Sequence, residues 1–160
     1  MLDIQRDILP LKNQMYRLAL RITMSSQEAE DVVQDVILKL WGMRDRLDEV
    51  DNLEAFTMRA TRNLALDRHR LKANNTETLD AAADRPHAGD DDMDRREQVE
   101  SIRAIMQMLP EKQRSAMHLR DFEGYSYREI AGMLGISEDQ VKISIFRARQ
   151  FVKAKLTSFN

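Results

Sequence analysis

Two helix starts and one sharp helix exit lie within residues 124–149, GYSYREIAGMLGISEDQVKISIFRAR, and they leave the backbone few options. Ser126 and Glu129 have the spacing of a capping box, in which each residue's side chain accepts the other's N–H, and Tyr125 with Ile130 supplies the flanking hydrophobic staple. Ser137 and Gln140, flanked by Ile136 and Val141, repeat the device. Between the boxes, Gly135 provides the positive-φ position that ends a helix sharply. Ile130, Ala131, Leu134, Ile136, Val141 and Ile145 recur as one apolar seam. The pattern predicts two short helices joined by a tight turn, a unit that sets its second helix into a DNA groove, with an ordinary helical hairpin as the alternative.

The remaining periodicity is helical too. Ile4, Ile8, Leu11, Met15, Leu18 and Ile22 predict an amphipathic helix over residues 3–23, interrupted near Pro10. Ser25 and Glu28 open a second helix to Trp41, with Ala29, Val32, Val33, Val36, Ile37 and Leu40 inward and Gly42 at its end. Residues 44–52 read as a loop or irregular turn, after which Asp51 and Glu54 are expected to box a helix reaching Leu71. Leu53, Phe56, Ala60 and Leu64, with part of the Ala65–Leu66 pair, are its expected lining, leaving Arg59, Arg62, Asn63, Asp67, Arg70 and Lys72 polar-facing. A helix over 94–108 precedes Pro110, expected at the first position of another helix lined by Ala116, Met117, Leu119 and Phe122 and closed by Gly124. No alternating strand pattern and no nucleotide-binding glycine loop occurs. The expected fold is all-α: domains at 1–73 and 97–160, the second containing the helix-turn-helix, joined by an acidic linker at 74–96.

The net charge of −2 conceals how charge is distributed. Residues 1–73 carry 12 acidic and 12 basic groups, 74–96 carry 7 and 3, and 97–160 carry 8 and 10. The acidic middle repels phosphate and reads as a soluble tether, whereas residues 59–72 hold five Lys or Arg against one Asp. From Gln140 to Lys155 five cations stand with no acid. Lys142, Ile143, Phe146 and Arg147 share a helical phase suited to reading base edges. Arg149 and Lys153 suit nearby phosphates, and the helix start at Ser137 adds N–H donors, though C-terminal cations also complement the helix dipole without any ligand.

Evidence of catalysis is sparse. Cysteine is absent, which excludes disulfides and thiolate metal sites and suits a reducing compartment. His69, His87 and His118 are scattered, without metal-ligand spacing. Asp31 and Asp35 lie one helical turn apart among Glu28 and Glu30, but no second ligand-bearing helix matches them. A protein-facing acidic patch or a solvated face is the reading, and no metal or cofactor is expected. Without a membrane-spanning apolar run or a secretion signal, the chain reads as soluble and cytoplasmic.

Three ordered motifs carry a family resemblance. Residues 29–41, AEDVVQDVILKLW, resemble the core-polymerase-binding helix of bacterial sigma-70 family factors, and residues 53–70, LEAFTMRATRNLALDRHR, resemble the promoter-opening helix that follows it. Residues 124–149 resemble the family's C-terminal helix-turn-helix. The chain thus resembles the compact extracytoplasmic-function (ECF) sigma factors. The resemblance implies a subunit, not itself an enzyme, that joins core RNA polymerase and directs it to promoter DNA. By that resemblance Asp31, Val32, Gln34, Asp35, Leu38 and Trp41 would meet the polymerase. Arg59, Arg62, Asn63 and Arg70 would lie near the non-template strand of the −10 element, and Arg44 or Arg46 in the specificity loop would stack on a flipped base. Ser137, Lys142, Ile143, Phe146, Arg147 and Arg149 would serve the −35 element.

The chain departs from the family pattern at Phe56, where tryptophan is usual, and at Ala60 and Thr61, where Ile-Ala is usual. In the recognition helix, Ile143 and Ser144 replace serine and arginine. An anti-sigma factor is a further expected partner. The competing readings are a sigma-like interaction regulator without initiation activity, a helix-turn-helix repressor, which leaves residues 29–70 without a purpose, and a metal enzyme lacking a defined site.

Overall fold

The computed structural model describes residues 3–74 and 93–158; the expected linker otherwise lies outside them. Among the described residues every regular element is helical. Asp3 caps a short π-type turn at Ile4–Ile8, a 3₁₀ turn at Leu9–Leu11 carries Pro10, and α1 follows at Lys12–Thr23, so the expected interruption falls at Pro10. α2 is Ser26–Gly42 and α3 is Leu53–Asn74. The second half comprises α4 (Met93–Met106), α5 (Glu111–Met117), a π-type turn at His118–Phe122, α6 (Tyr127–Leu134) and α7 (Glu138–Ser158).

The local signals act largely as expected. The Ser25 hydroxyl accepts the Glu28 N–H at 3.2 Å, while both bonds of the Ser126–Glu129 and Ser137–Gln140 boxes form, at 2.9 to 3.1 Å. Two expectations need correction. α3 is capped by Asn52, whose side-chain oxygen accepts the Ala55 N–H at 3.0 Å, so the Asp51–Glu54 box is displaced by one residue. Pro110 is the cap preceding α5 and not its first helical residue. Within residues 44–52, expected as a loop or irregular turn, Arg44–Glu49 form a 3₁₀ helix pinned by the wholly buried Leu47.

Gly135 ends α6 at φ +70°, and a Cβ built there meets nothing closer than the Arg59 guanidinium at 3.7 Å. Gly135→Ala therefore adds left-handed backbone strain without a clash, and we expect a loss of about 1–2 kcal/mol, measurable by urea denaturation.

α1, α2 and α3 pack on one another, and α6 covers α3 from the other half. Met15, Leu18 and Ile22 of α1, Val32, Val36 and Leu40 of α2, and Met58 of α3 join Leu119, Ile130, Met133 and Val141 in one apolar cluster. A second cluster, Ile105, Met106, Leu109, Met117, Ala148 and Val152, ties α4 and α5 to α7. α3 is thus flanked on both sides. Its deepest residues are Ala55, Thr57, Met58, Thr61 and Ala65, with the expected lining residues Leu53, Phe56, Ala60 and Leu64 half-buried around them. Small side chains permit this: a Cβ on Gly132 of α6 would sit 3.5 Å from that of Ala55.

Candidate nucleic-acid and partner surfaces

α2 presents its outer face because its valines and Leu40 bind the inner one to the core. Gln34 and Asp35 are exposed, and Leu38 and Trp41 are apolar side chains 66% and 51% open to solvent. Val32 is wholly buried, which corrects its expected contact role: it holds the helix from beneath. Arg44 stacks over Trp41, 4.3 Å from the ring centroid, and donates to the Trp41 carbonyl oxygen at 2.9 Å. Arg44, one of the two arginines expected to stack on a base, therefore braces the aromatic residue of the α2 face, while Arg46 stands exposed.

The acidic side chains of α2 share a cation that the sequence reading did not single out. Arg68 of α3 donates to Glu28 at 3.1 Å and to Asp35 at 2.6 Å, and lies 3.6 Å from Asp31. Lys72, one turn further along α3, stands 4.0 Å from Glu28.

The four candidate −10 residues of α3 divide. Asn63 and Arg70 are exposed, Arg70 lying 3.9 Å from Asp67. Arg59 and Arg62 instead face the second half. Arg59 donates twice to the Gly132 carbonyl oxygen, at 2.6 and 3.1 Å. Arg62 grips Glu111 bidentately at 2.7 and 2.8 Å, with a longer bond to the Leu134 carbonyl oxygen at 3.4 Å. Burial pushes the Glu111 carboxyl up, but hydrogen bonds from Arg62 and from the Ser115 hydroxyl outweigh it and leave the group below its ordinary value. Further ties join the halves: Tyr125 donates its hydroxyl to Glu54 at 2.8 Å, and Arg17 meets Glu123 at 2.6 and 2.9 Å.

On α7, Val141, Ile145, Ala148 and Val152 bury one side, and Ser144 goes under with them. The opposite side gathers Lys142, Ile143, Phe146 and Arg147, all exposed, with Ile143 at 48% and Phe146 at 63%. Thus the expected reading face assembles in one phase. Ser137 is committed to capping, and Arg149, exposed one turn beyond Phe146, is paired with Asp121 at 3.1 Å. Tyr127 of α6, absent from the expected set, lies under Arg120 and Lys142 at 4.8 and 5.9 Å. Of the histidines, His69 is exposed, His118 is buried against Glu123, and His87 lies outside the described residues.

Comparison with known proteins identifies the family. Residues 8–74 match the family described as Sigma-70 region 2, and residues 99–152 match Sigma-70, region 4. The chain is 30% identical over 127 residues to RNA polymerase sigma factor SigZ of Bacillus subtilis, covering 79% of this chain and 72% of that protein. It is 34% identical over 140 residues to ECF RNA polymerase sigma factor SigM of Mycobacterium tuberculosis, covering 85% and 68%. Its fold resembles sigma factor RpoE from Bartonella quintana, solved with the anti-sigma factor NepR, at TM-score 0.79, 24% identity and 97% of both chains. It also resembles CnrH, solved with the cytosolic domain of CnrY, at TM-score 0.71, 22% identity, 98% of this chain and 89% of that one.

Proposed function

We propose, from the premise that this chain belongs to the sigma-70 family of RNA polymerase sigma factors, that its two exposed faces divide the work of transcription initiation between polymerase and promoter. The observation that carries this reading is the opposite chemistry of two exposed helix faces: acidic and apolar on α2, basic and apolar on α7. Trp41 and Leu38 suit a desolvated protein contact, and Asp31, Gln34 and Asp35 suit a cationic rim around it. Lys142 and Arg147 suit phosphates or guanine edges of a −35 element, and Ile143 suits a thymine methyl. Asn63, Arg70 and Arg46 are available to the −10 strand as the chain stands, whereas Arg59 and Arg62 become available once α6 and α5 move off α3.

On this reading the protein performs no covalent chemistry of its own and works in the cytoplasm, where polymerase and DNA are. No helix among the described residues is long and apolar enough to cross a membrane. Because both fold relatives were solved with a partner protein, one named an anti-sigma factor, we include an anti-sigma factor among its partners.

The test is in vitro transcription of a genomic fragment library by bacterial core polymerase, with and without the chain, followed by mapping of RNA 5′ ends. New starts that share spaced −35 and −10 elements are expected. Trp41→Ala should lower their yield through weaker core association, by about 2 kcal/mol if the indole is a central anchor. Folded protein that yields no new starts overturns the reading.

A further inference from the structure

The cation held by α2 has a consequence for the partner that α2 awaits. Glu28, Asp31 and Asp35 follow one another along a single stripe of α2, and Arg68 from the neighbouring helix reaches all three. Asp31 and Asp35 keep 46% and 48% of their side-chain surface open, while Arg68 is 29% exposed. The arrangement is therefore an arginine receptor on the protein's surface that is already filled from within.

Formal charge gives the effect of that occupant. With Arg68 and Lys72 in place, the three carboxylates carry a residual charge of −1; without Arg68 the patch carries −2. A cationic partner thus meets half the net charge it would meet without Arg68 and must share or displace a guanidinium to engage the acids fully. Exposed ion pairs of this kind are weak and exchange readily, so the occupant attenuates docking without blocking it.

We propose that Arg68 is an internal competitor for the polymerase: it occupies, in cis, the carboxylates that the polymerase's cationic side chains take up on docking, and so sets core affinity below what the α2 face alone would reach. The proposal rests on the reading that this face meets polymerase. It makes Arg68 a positioning residue that acts through Asp31 and Asp35.

The experiment titrates core RNA polymerase into fluorescently labelled full-length chain, comparing wild type with Arg68→Gln, Arg68→Met, Asp35→Asn and the Arg68→Gln/Asp35→Asn double variant. Removing Arg68 should tighten core association by roughly two- to five-fold, the size an exposed ion pair carries. The gain should fade with added salt. Asp35→Asn should cost more affinity in the Arg68→Gln background than alone, because the carboxylate is then unshared. A residue that merely ties α3 to α2 would give weaker or unchanged binding on removal, and either result from a folded variant overturns the proposal. Arg68→Met keeps the aliphatic stem; if neither Arg68 variant folds, Arg68 is a support of the fold and the proposal is likewise overturned. Absence of binding by the wild type would instead overturn the polymerase reading, and the proposal with it.

Discussion

Glu111→Ala is expected to loosen the two halves of the protein and to increase its apparent affinity for −10 DNA. In the native arrangement Arg62 and Glu111 close a bidentate pair, with side chains only 13% and 19% exposed, and Ser115 donates to the same carboxylate at 2.6 Å. Removing one partner of such a pair leaves a guanidinium without its counter-charge, a change that costs about 3–5 kcal/mol when the pair is fully buried. The residual exposure here brings the expectation down to about 2 kcal/mol, or roughly thirty-fold in the balance between closed and parted halves.

That shift has a functional sign. A ligand that needs the minor, parted state binds with its intrinsic constant divided by the fraction of that state, so raising the fraction tightens binding up to the same factor. Hydrogen exchange should show faster opening of α3 and α6 in Glu111→Ala, and the variant's holoenzyme should bind a mapped promoter fragment more tightly. Arg62→Ala breaks the same pair but removes the proposed DNA contact as well. Parting of the halves without a gain in DNA affinity would leave Arg62 as a tie between helices and take it out of the promoter-reading set.

The difference between what was legible in the sequence and what was not follows the range of the interactions. The capping boxes at Ser126 and Ser137, the Gly135 exit and the reading phase of α7 are decided within a few residues, and sequence spacing is enough to see them. The Asn52 cap differs from the expected one because two adjacent polar residues both suit the position, and only the backbone decides between them.

α3 is a different case. Its pattern predicts polar-facing side chains at Arg59 and Arg62, and the fold supplies their partners from α6 and α5. Ala55, Thr57 and Thr61 look neutral in a sequence, yet all three are buried: the small volume of Ala55 lets α6 approach, and Thr61 spends its hydroxyl on the Thr57 carbonyl oxygen at 2.8 Å. The partners of Arg59 and Arg62 lie 73 and 49 residues away. Arg68 meets Asp35 across 33 residues. No local periodicity encodes such pairings; they are products of tertiary placement.

The same long-range logic gives the protein a pH dependence. Glu123, with its side chain 5% exposed, sits between Arg17 of α1 and His118, whose Nε2 lies 3.2 Å away. Burial alone pushes this carboxyl up, but Arg17 and His118 outweigh it and hold the group at about 2. Burial lowers the His118 value below its ordinary 6.5; Glu123 opposes that shift, and Arg21 and Arg103 reinforce it. Both shifts make the native state bind fewer protons than the unfolded chain, so stability rises with pH through each window. For His118 the gain is lost as pH falls from 6.5 toward its lowered native value, and for Glu123 as pH falls from 4.5 toward about 2. Wild-type unfolding free energy should therefore begin to decline just below neutrality, before any ordinary carboxylate titrates. His118→Gln should abolish that first limb and narrow the second, because Arg17 alone then holds Glu123 down. Glu123→Ala should cost about 1.5–3 kcal/mol at pH 7, the worth of a hydrogen bond to a charged group, because Arg17 loses its acceptor. Urea titrations from pH 8 to pH 3 read all three curves, and a wild-type curve flat through 6.5 would mean that His118 gains as much from Glu123 as burial takes away.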